Sequence, residues 1–118
     1  MTRPNGTIPA RDIVDDILPK LTSIQSFVDH TLSASIQRQD NANERKREEN
    51  LKAELEMELT IIRMNIDNLT KRHEPTISRL GVSRQASGPE IDIDKYEAAA
   101  IEHLKRLHQR IRTLYADS

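Results

Sequence analysis

Four histidines are the residues of this sequence best suited to metal binding or proton transfer: His30, His73, His103 and His108. His103 and His108 are five residues apart. On a helix this spacing separates two side chains by about 140°, whereas a helical pair of metal ligands needs positions i and i+4 on one face. The sequence also has no cysteine and no Glu-x-x-His motif of the kind that holds a di-iron centre. We therefore predict no metal site.

Motifs for phosphate binding and nucleophilic catalysis are missing as well. The chain has only three glycines, and none belongs to a phosphate-cradling loop or to the Gly-x-Ser-x-Gly turn of serine hydrolases. A catalytic site needs several convergent groups, and no pattern in the sequence supplies them. We predict a protein that is not an enzyme and that needs no cofactor.

A basic cluster near the C-terminus is the candidate for binding nucleic acid or an anionic membrane surface. Its members are His103, Lys105, Arg106, His108, Arg110 and Arg112. These positions spread around a predicted helix, and no aromatic residue is interleaved for base stacking. The whole chain carries 18 basic and 19 acidic residues, a net charge of -1. We do not expect a nucleic-acid partner, and we rank surface binding by this cluster as a third hypothesis.

Two single residues suggest regulation. Ser87 follows Arg84 by three positions in a segment without helical periodicity, which resembles the target pattern of basophilic kinases, so Ser87 is a candidate phosphorylation site. His73 extends the apolar seam of the second predicted helix, where a histidine would titrate near neutrality. The interpretation that we prefer for His73 is that the seam frays there and the ring lies partly in water.

The elements that must position these residues follow from the distribution of glycine and proline. Lys20–Glu74 and Glu90–Ser118 contain neither residue. Apolar residues recur at steps of three and four and predict three helices, over about 10–36, 44–74 and 92–116.

Flexible segments are expected at 1–8 and 76–90, because these contain most of the glycine and proline. Pro19 predicts a kink or a break near Leu18, since a proline inside a helix removes a hydrogen bond and clashes with the preceding turn. Either Asp40 or Asn43 is the expected cap of the second helix. Asp94 followed by Glu97 resembles a capping box at the start of the last helix.

We predict an all-α fold with a single domain over 1–118, either an antiparallel helical hairpin or a three-helix bundle with coiled-coil character. Three apolar stripes of similar length, joined by polar connections, are typical of such bundles. The alternative is a rod in which 20–74 forms one continuous helix.

The apolar seams are the strongest functional candidate. The candidate interface residues are Leu55, Leu59, Ile62, Ile66, Leu69, Leu104, Leu107, Ile111 and Leu114. The seams are narrow, and heptads of this kind are commonly completed by helices of another chain. The leading hypothesis is a non-enzymatic scaffold or adaptor subunit that binds helical partners in a hetero- or homo-oligomer.

A second hypothesis is a self-contained three-helix domain that binds a peptide or a protein in a groove between helices. No stretch approaches the roughly 20 apolar residues that span a bilayer, so we predict no transmembrane segment. The absence of cysteine suits a reducing compartment. We therefore expect an intracellular protein of the cytoplasm or the nucleus.

Overall fold

A computed structural model describes residues 6–80 and 89–115. In chain order the elements are β1 (Thr7–Pro9), α1 (residues 10–38), α2 (Ala42–Arg72), α3 (Glu74–Arg79), β2 (Glu90–Asp92) and α4 (Lys95–Tyr115). The all-α prediction is confirmed, because three long helices form a bundle and the only strands of the described residues are two of three residues each.

Helix α1 does not break at Pro19, so that alternative of the prediction was wrong. The chain stays helical from 10 to 38, with wider π-helical turns at Ile13–Ile17 and Phe27–Leu32. The Leu18 amide donates to the Ile13 carbonyl, five residues back. The wider turn moves carbonyls away from the proline ring that follows, which lets Pro19 lie in the helix.

The continuous rod over 20–74 is excluded, because the helix ends before the middle of that stretch. Gln39 has extended backbone angles (φ -74, ψ 118) and separates α1 from α2. The side chain of Asn41 then accepts a hydrogen bond of 3.0 Å from the Glu44 amide. Asn41 is therefore the N-cap of α2, and neither Asp40 nor Asn43 has that role.

The segment that follows α2 was predicted to be a flexible linker over 76–90, but its first residues belong to the short helix α3. Helix α2 ends at Arg72, and the short helix α3 starts again at Glu74. Pro75 lies in the first turn of α3, where the missing amide hydrogen costs nothing.

A short antiparallel ladder also orders part of both segments that were expected to be flexible. In the ladder of β1 with β2, Ile8 is opposite Ile91. The Ala10 amide donates to the Pro89 carbonyl at 2.8 Å and continues the pairing into α1. The ladder brings residues about 80 positions apart together, and sequence periodicity carries no signal for a pairing of this kind.

The core lies between α1, α2 and α4. Its buried side chains are Ala10, Ile13, Ile17, Leu21, Ile24, Val28 and Leu32 of α1, Leu55, Leu59, Ile62, Ile66 and Leu69 of α2, and Ala100, Ile101, Leu104 and Leu107 of α4. Leu80, Ile91 and Ile93 close the end of the core near the ladder.

Helix directions follow from the contacts between side chains. Glu97 of α4 contacts Arg72 at the end of α2, whereas Arg110 reaches Glu54 near the start of α2, so these helices are antiparallel. Ser35 of α1 donates to Glu48 across the turn, as expected for an antiparallel hairpin. None of the described helices combines the length and the apolar character needed to span a membrane.

Candidate interaction surface

The predicted interface residues lie mostly inside the chain's own bundle. Leu55, Leu59, Ile62, Ile66, Leu69, Leu104 and Leu107 are at most 4% exposed. Ile111 is half-buried against the core, and only Leu114, at 56%, is well exposed. Three helices of one chain thus complete the seams that the sequence left open to a partner. The candidate phosphorylation site Ser87 lies outside the described residues.

A second apolar stripe runs along the opposite side of α2. Met57, Ile61 and Met64 are 68%, 53% and 67% exposed. At 3.6 residues per turn, steps of four and three keep them within roughly 60° of one another. We call these three residues the outer stripe. It is the feature that the sequence analysis missed, although its spacing is visible in the sequence.

A groove between α2 and α4 adjoins the outer stripe at Ile61. Tyr96, which is 64% exposed, lies across from Ile61, and a groove of about 180 Å³ separates the two helices at this level. The groove is lined by Ile61, Ile62, Asn65, Tyr96, Ala99, Ala100 and His103. Small alanine side chains on α4 leave the space open. The result is a mostly apolar concave surface beside an exposed apolar helix face.

Two polar pairs between α2 and α4 border this surface toward the turn between α1 and α2. His103 Nε2 lies 2.8 Å from Glu58 Oε1, and an Arg110 guanidinium nitrogen lies 3.5 Å from Glu54 Oε1. On the other side, the ammonium group of Lys95 lies 5.1 Å from the centre of the Tyr96 ring. Polar groups around an apolar centre are the usual anatomy of a protein-binding surface.

The predicted basic cluster is divided among different surroundings. His103 and Arg110 contact carboxylates of α2, while Lys105, Arg106 and Arg112 are exposed. Burial lowers the pKa of His108, and the nearby Lys20 and Arg112 lower it further. A neutral His108 adds no charge to a phosphate-binding patch.

The start of α4 holds an ion pair between a buried carboxylate and a partly exposed guanidinium group. Glu97 is 0% exposed, and Arg72 binds its two carboxylate oxygens through two nitrogens at 2.5 and 2.6 Å. Asn68 donates to the same carboxylate at 3.1 Å. Burial alone would raise the pKa of Glu97, but the hydrogen bonds from Arg72, the Asp94 amide and Asn68 outweigh it and lower the pKa. The charged pair therefore locks α4 to the end of α2.

The predicted capping box is confirmed at the same place. The Asp94 side chain accepts from the Glu97 amide at 2.7 Å, and the Glu97 side chain accepts from the Asp94 amide at 2.8 Å. Glu97 thus caps its own helix and pairs with Arg72. The sequence indicated the first role but not the second, because nothing in the local pattern marks Arg72 as its partner.

His73 follows α2 and is half-buried. Its Nε2 lies 2.8 Å from the Asp92 carbonyl oxygen, so Nε2 carries a hydrogen and donates it. Burial lowers the pKa of His73, and the positive charge of Arg72 lowers it further. His73 is therefore a neutral residue that ties the end of α2 to β2.

Over the described ranges 6–80 and 89–115, no three His, Asp or Glu side chains come together in a group that could hold a metal ion. Comparisons with protein-family models, with curated proteins and with solved structures found no match.

Proposed function

We propose that this chain is a non-enzymatic interaction protein, a small helical scaffold or adaptor that binds a protein partner through the outer stripe and the adjoining groove. The observation that carries the proposal is the exposure of Met57, Ile61 and Met64 on one face of α2 and of Tyr96, which lines the adjoining groove with Ile61; each of the four is more than half accessible. Exposed apolar patches rimmed by polar residues are typical of protein-binding sites.

The chemistry of the outer stripe also supports a helical partner. Side chains at positions i, i+4 and i+7 are the anchors by which helices dock on one another. Two of the three are methionines, whose flexible side chains adapt to the shape of a partner. The proposal keeps the self-contained three-helix domain and its interhelical groove, because the chain already fills its own seams.

Assembly through the buried seams is less favoured, because a partner would first have to displace α1 or α4. Surface binding by the basic cluster is also less favoured, because His103 and Arg110 are occupied by carboxylates. The intracellular location in the cytoplasm or the nucleus remains part of the proposal.

The test uses the full chain, tagged and isolated from its native cells, as the unchanged chain and as three variants. We expect the amount of partner that co-purifies with the double variant Met57→Glu/Met64→Glu to fall at least about tenfold. The melting temperature of this variant should stay close to that of the unchanged chain. Val14→Glu is the matched control, because Val14 is 39% exposed but lies on α1, away from the stripe.

Leu114→Glu tests the one well-exposed member of the originally predicted interface. Retention of the partner by Met57→Glu/Met64→Glu and its loss with Leu114→Glu would move the binding site to the end of α4. Equal retention by all three variants would contradict the proposal.

A further inference from the structure

We propose that the outer stripe is covered by the outer stripe of a second copy of this chain, with the two α2 helices antiparallel. This inference rests on the proposed function and names its partner. It is carried by the order of side chains along the exposed face of α2. That face presents, in order, Asn50, Glu54, Met57, Ile61, Met64, Asn68 and Lys71.

These positions follow one another at steps of four and three, the spacing of a coiled-coil seam. The apolar residues are central, an acid lies toward the start of α2 and a base lies toward its end. Such an arrangement is self-complementary when a second copy is turned end to end. A twofold axis at the height of Ile62 and Arg63 along α2 would place Ile61 opposite Met64 of the second copy and Met57 opposite Asn68 of the second copy.

In this register Glu54 faces Lys71 of the second copy, and the symmetry repeats the pair on the other side. Lys71 is exposed and makes no ion pair with any other residue that the structure describes. Glu54 has one contact of 3.5 Å with Arg110, and both side chains are about half exposed. A parallel arrangement would instead place Glu54 against Glu54 and Lys71 against Lys71. Like charges in contact are unfavourable, so the charge pattern selects the antiparallel pairing.

In the same register, the groove between α2 and α4 can receive a side chain of the second copy. Met64 of the second copy, opposite Ile61, lies at the mouth of the 180 Å³ groove whose walls include Tyr96 and Ala99. An unbranched methionine can bend to fill an irregular space of this size. Because a twofold interface uses the same surface on both chains, both grooves are filled at once.

The first experiment measures self-association of the full chain by sedimentation across a range of concentrations. The contact is small, so we expect a dissociation constant in the micromolar range. Glu54→Lys and Lys71→Glu each turn two symmetric attractions into repulsions and should weaken the dimer by about tenfold. A mixture of the two variants should restore association, because each repelled pair becomes an attractive one. Lys105→Glu makes the same charge change on α4 and should leave the dimer unchanged.

The second experiment determines the direction of the helices by disulfide formation. The chain has no cysteine of its own, so each introduced thiol is unique. Glu54→Cys mixed with Lys71→Cys should form a cross-linked pair under mild oxidation, and Glu54→Cys alone should not. Cross-linking of Glu54→Cys with itself would indicate parallel helices and would overturn the proposal.

A wild-type chain that stays monomeric at every concentration would also overturn self-association. That result leaves the proposed function standing if Met57→Glu/Met64→Glu still loses a partner in cells while Val14→Glu keeps it. If both sets of measurements are negative, the outer stripe is not a binding surface for either kind of partner.

Discussion

The two sides of helix α2 carry apolar residues at the same spacing but have opposite surroundings. The inward side, from Leu55 to Leu69, has leucine or isoleucine at every step and is at most 4% exposed. The outward side has three apolar residues and is more than half exposed. The inward side packs against α1 and α4, whereas the outward side is largely open and meets α4 only where Ile61 lines the groove. A periodic pattern therefore identifies a face that packs, but not the chain against which it packs.

The residue types separate the two sides better than the spacing does. Leucine and isoleucine have few rotamers and fill a defined core, whereas methionine adapts to a changing neighbour. The inward seam continues over four helical turns without a polar residue. The outer stripe, in contrast, is followed along the same face by Glu54 at one end and by Asn68 at the other. A short, methionine-rich stripe with polar ends suits a contact that forms and dissociates.

The two sides should differ most in how much free energy of unfolding is lost when a side chain is truncated to alanine. Ile66→Ala should lower the free energy of unfolding by about 2–5 kcal/mol, because it leaves a cavity at a position that is 0% exposed. Met64→Ala, two positions earlier on the outer side, should change it by less than about 0.5 kcal/mol. Urea denaturation measures both values. Similar losses for the two variants would mean that the outer stripe also belongs to the core.

The C-terminal end of α2, where Arg72 pairs with Glu97, should be nearly as sensitive. Arg72→Ala removes the two hydrogen bonds that balance the buried carboxylate of Glu97, so we expect a loss of about 3 kcal/mol. The pKa of Glu97 should rise, because burial would no longer be opposed by the guanidinium. The neighbouring variant Lys71→Ala should cost less than about 0.5 kcal/mol. Unfolding curves at neutral pH compare the two, and equal effects would show that the pair contributes little.

Acid should weaken the bundle in two steps. His73 and His108 have pKa values below their ordinary 6.5, so the unfolded chain takes up protons first and stability falls as the pH drops below 6.5. The lowered pKa of Glu97 stabilises the fold above the ordinary value of 4.5, and this stabilisation is lost as the pH falls from there through the folded-state pKa.

The pH dependence of the melting temperature reports both steps. The double variant His73→Gln/His108→Gln should remove the step near pH 6.5 and keep the lower one. A single transition below pH 4.5 in the unchanged chain would contradict the assignment of the first step to these histidines.

The smallest predicted effect lies at the other end of α2. Asn41→Ala should cost about 1 kcal/mol, because the Glu44 amide loses its capping partner. Asp40→Ala and Asn43→Ala are the controls, since neither side chain has the capping role, and each should change stability by only a few tenths of a kcal/mol. Thermal unfolding of the three variants checks the order, and a larger loss for Asp40→Ala would reassign the cap.

The helical fold was predictable because its signal is local and repeated. Breaker residues marked the start of α1, the end of α2 and the segment before α4, although Pro19 lies inside α1 and the turn at 39–41 contains no breaker. Steps of three and four indicated the face that each helix buries. The capping box of Asp94 and Glu97 was predictable for the same reason, since both partners lie within one turn. The helix starts and ends differ from the prediction by a few residues at most.

The features that the sequence did not indicate depend on contacts between distant residues. Glu97 meets Arg72 only after α4 has packed on α2, and the ladder pairs β1 with β2 across more than 80 positions of the chain. The predicted interface residues illustrate a different difficulty. Leu59 and Leu107 have the same pattern whether they pack within one chain or between two, and only their burial in the bundle distinguishes these cases.

The ladder of β1 and β2 has a consequence for the order in which the chain folds. The hairpin of α1 and α2 uses contacts between nearby segments, which form quickly, whereas Thr7 and Asp92 must close a loop of more than 80 residues. We expect the hairpin to form first and the ladder to close with the arrival of α4. Until then the inward side of α2 is only half covered, so a newly made chain has a brief interval in which both sides of this helix are open to other proteins.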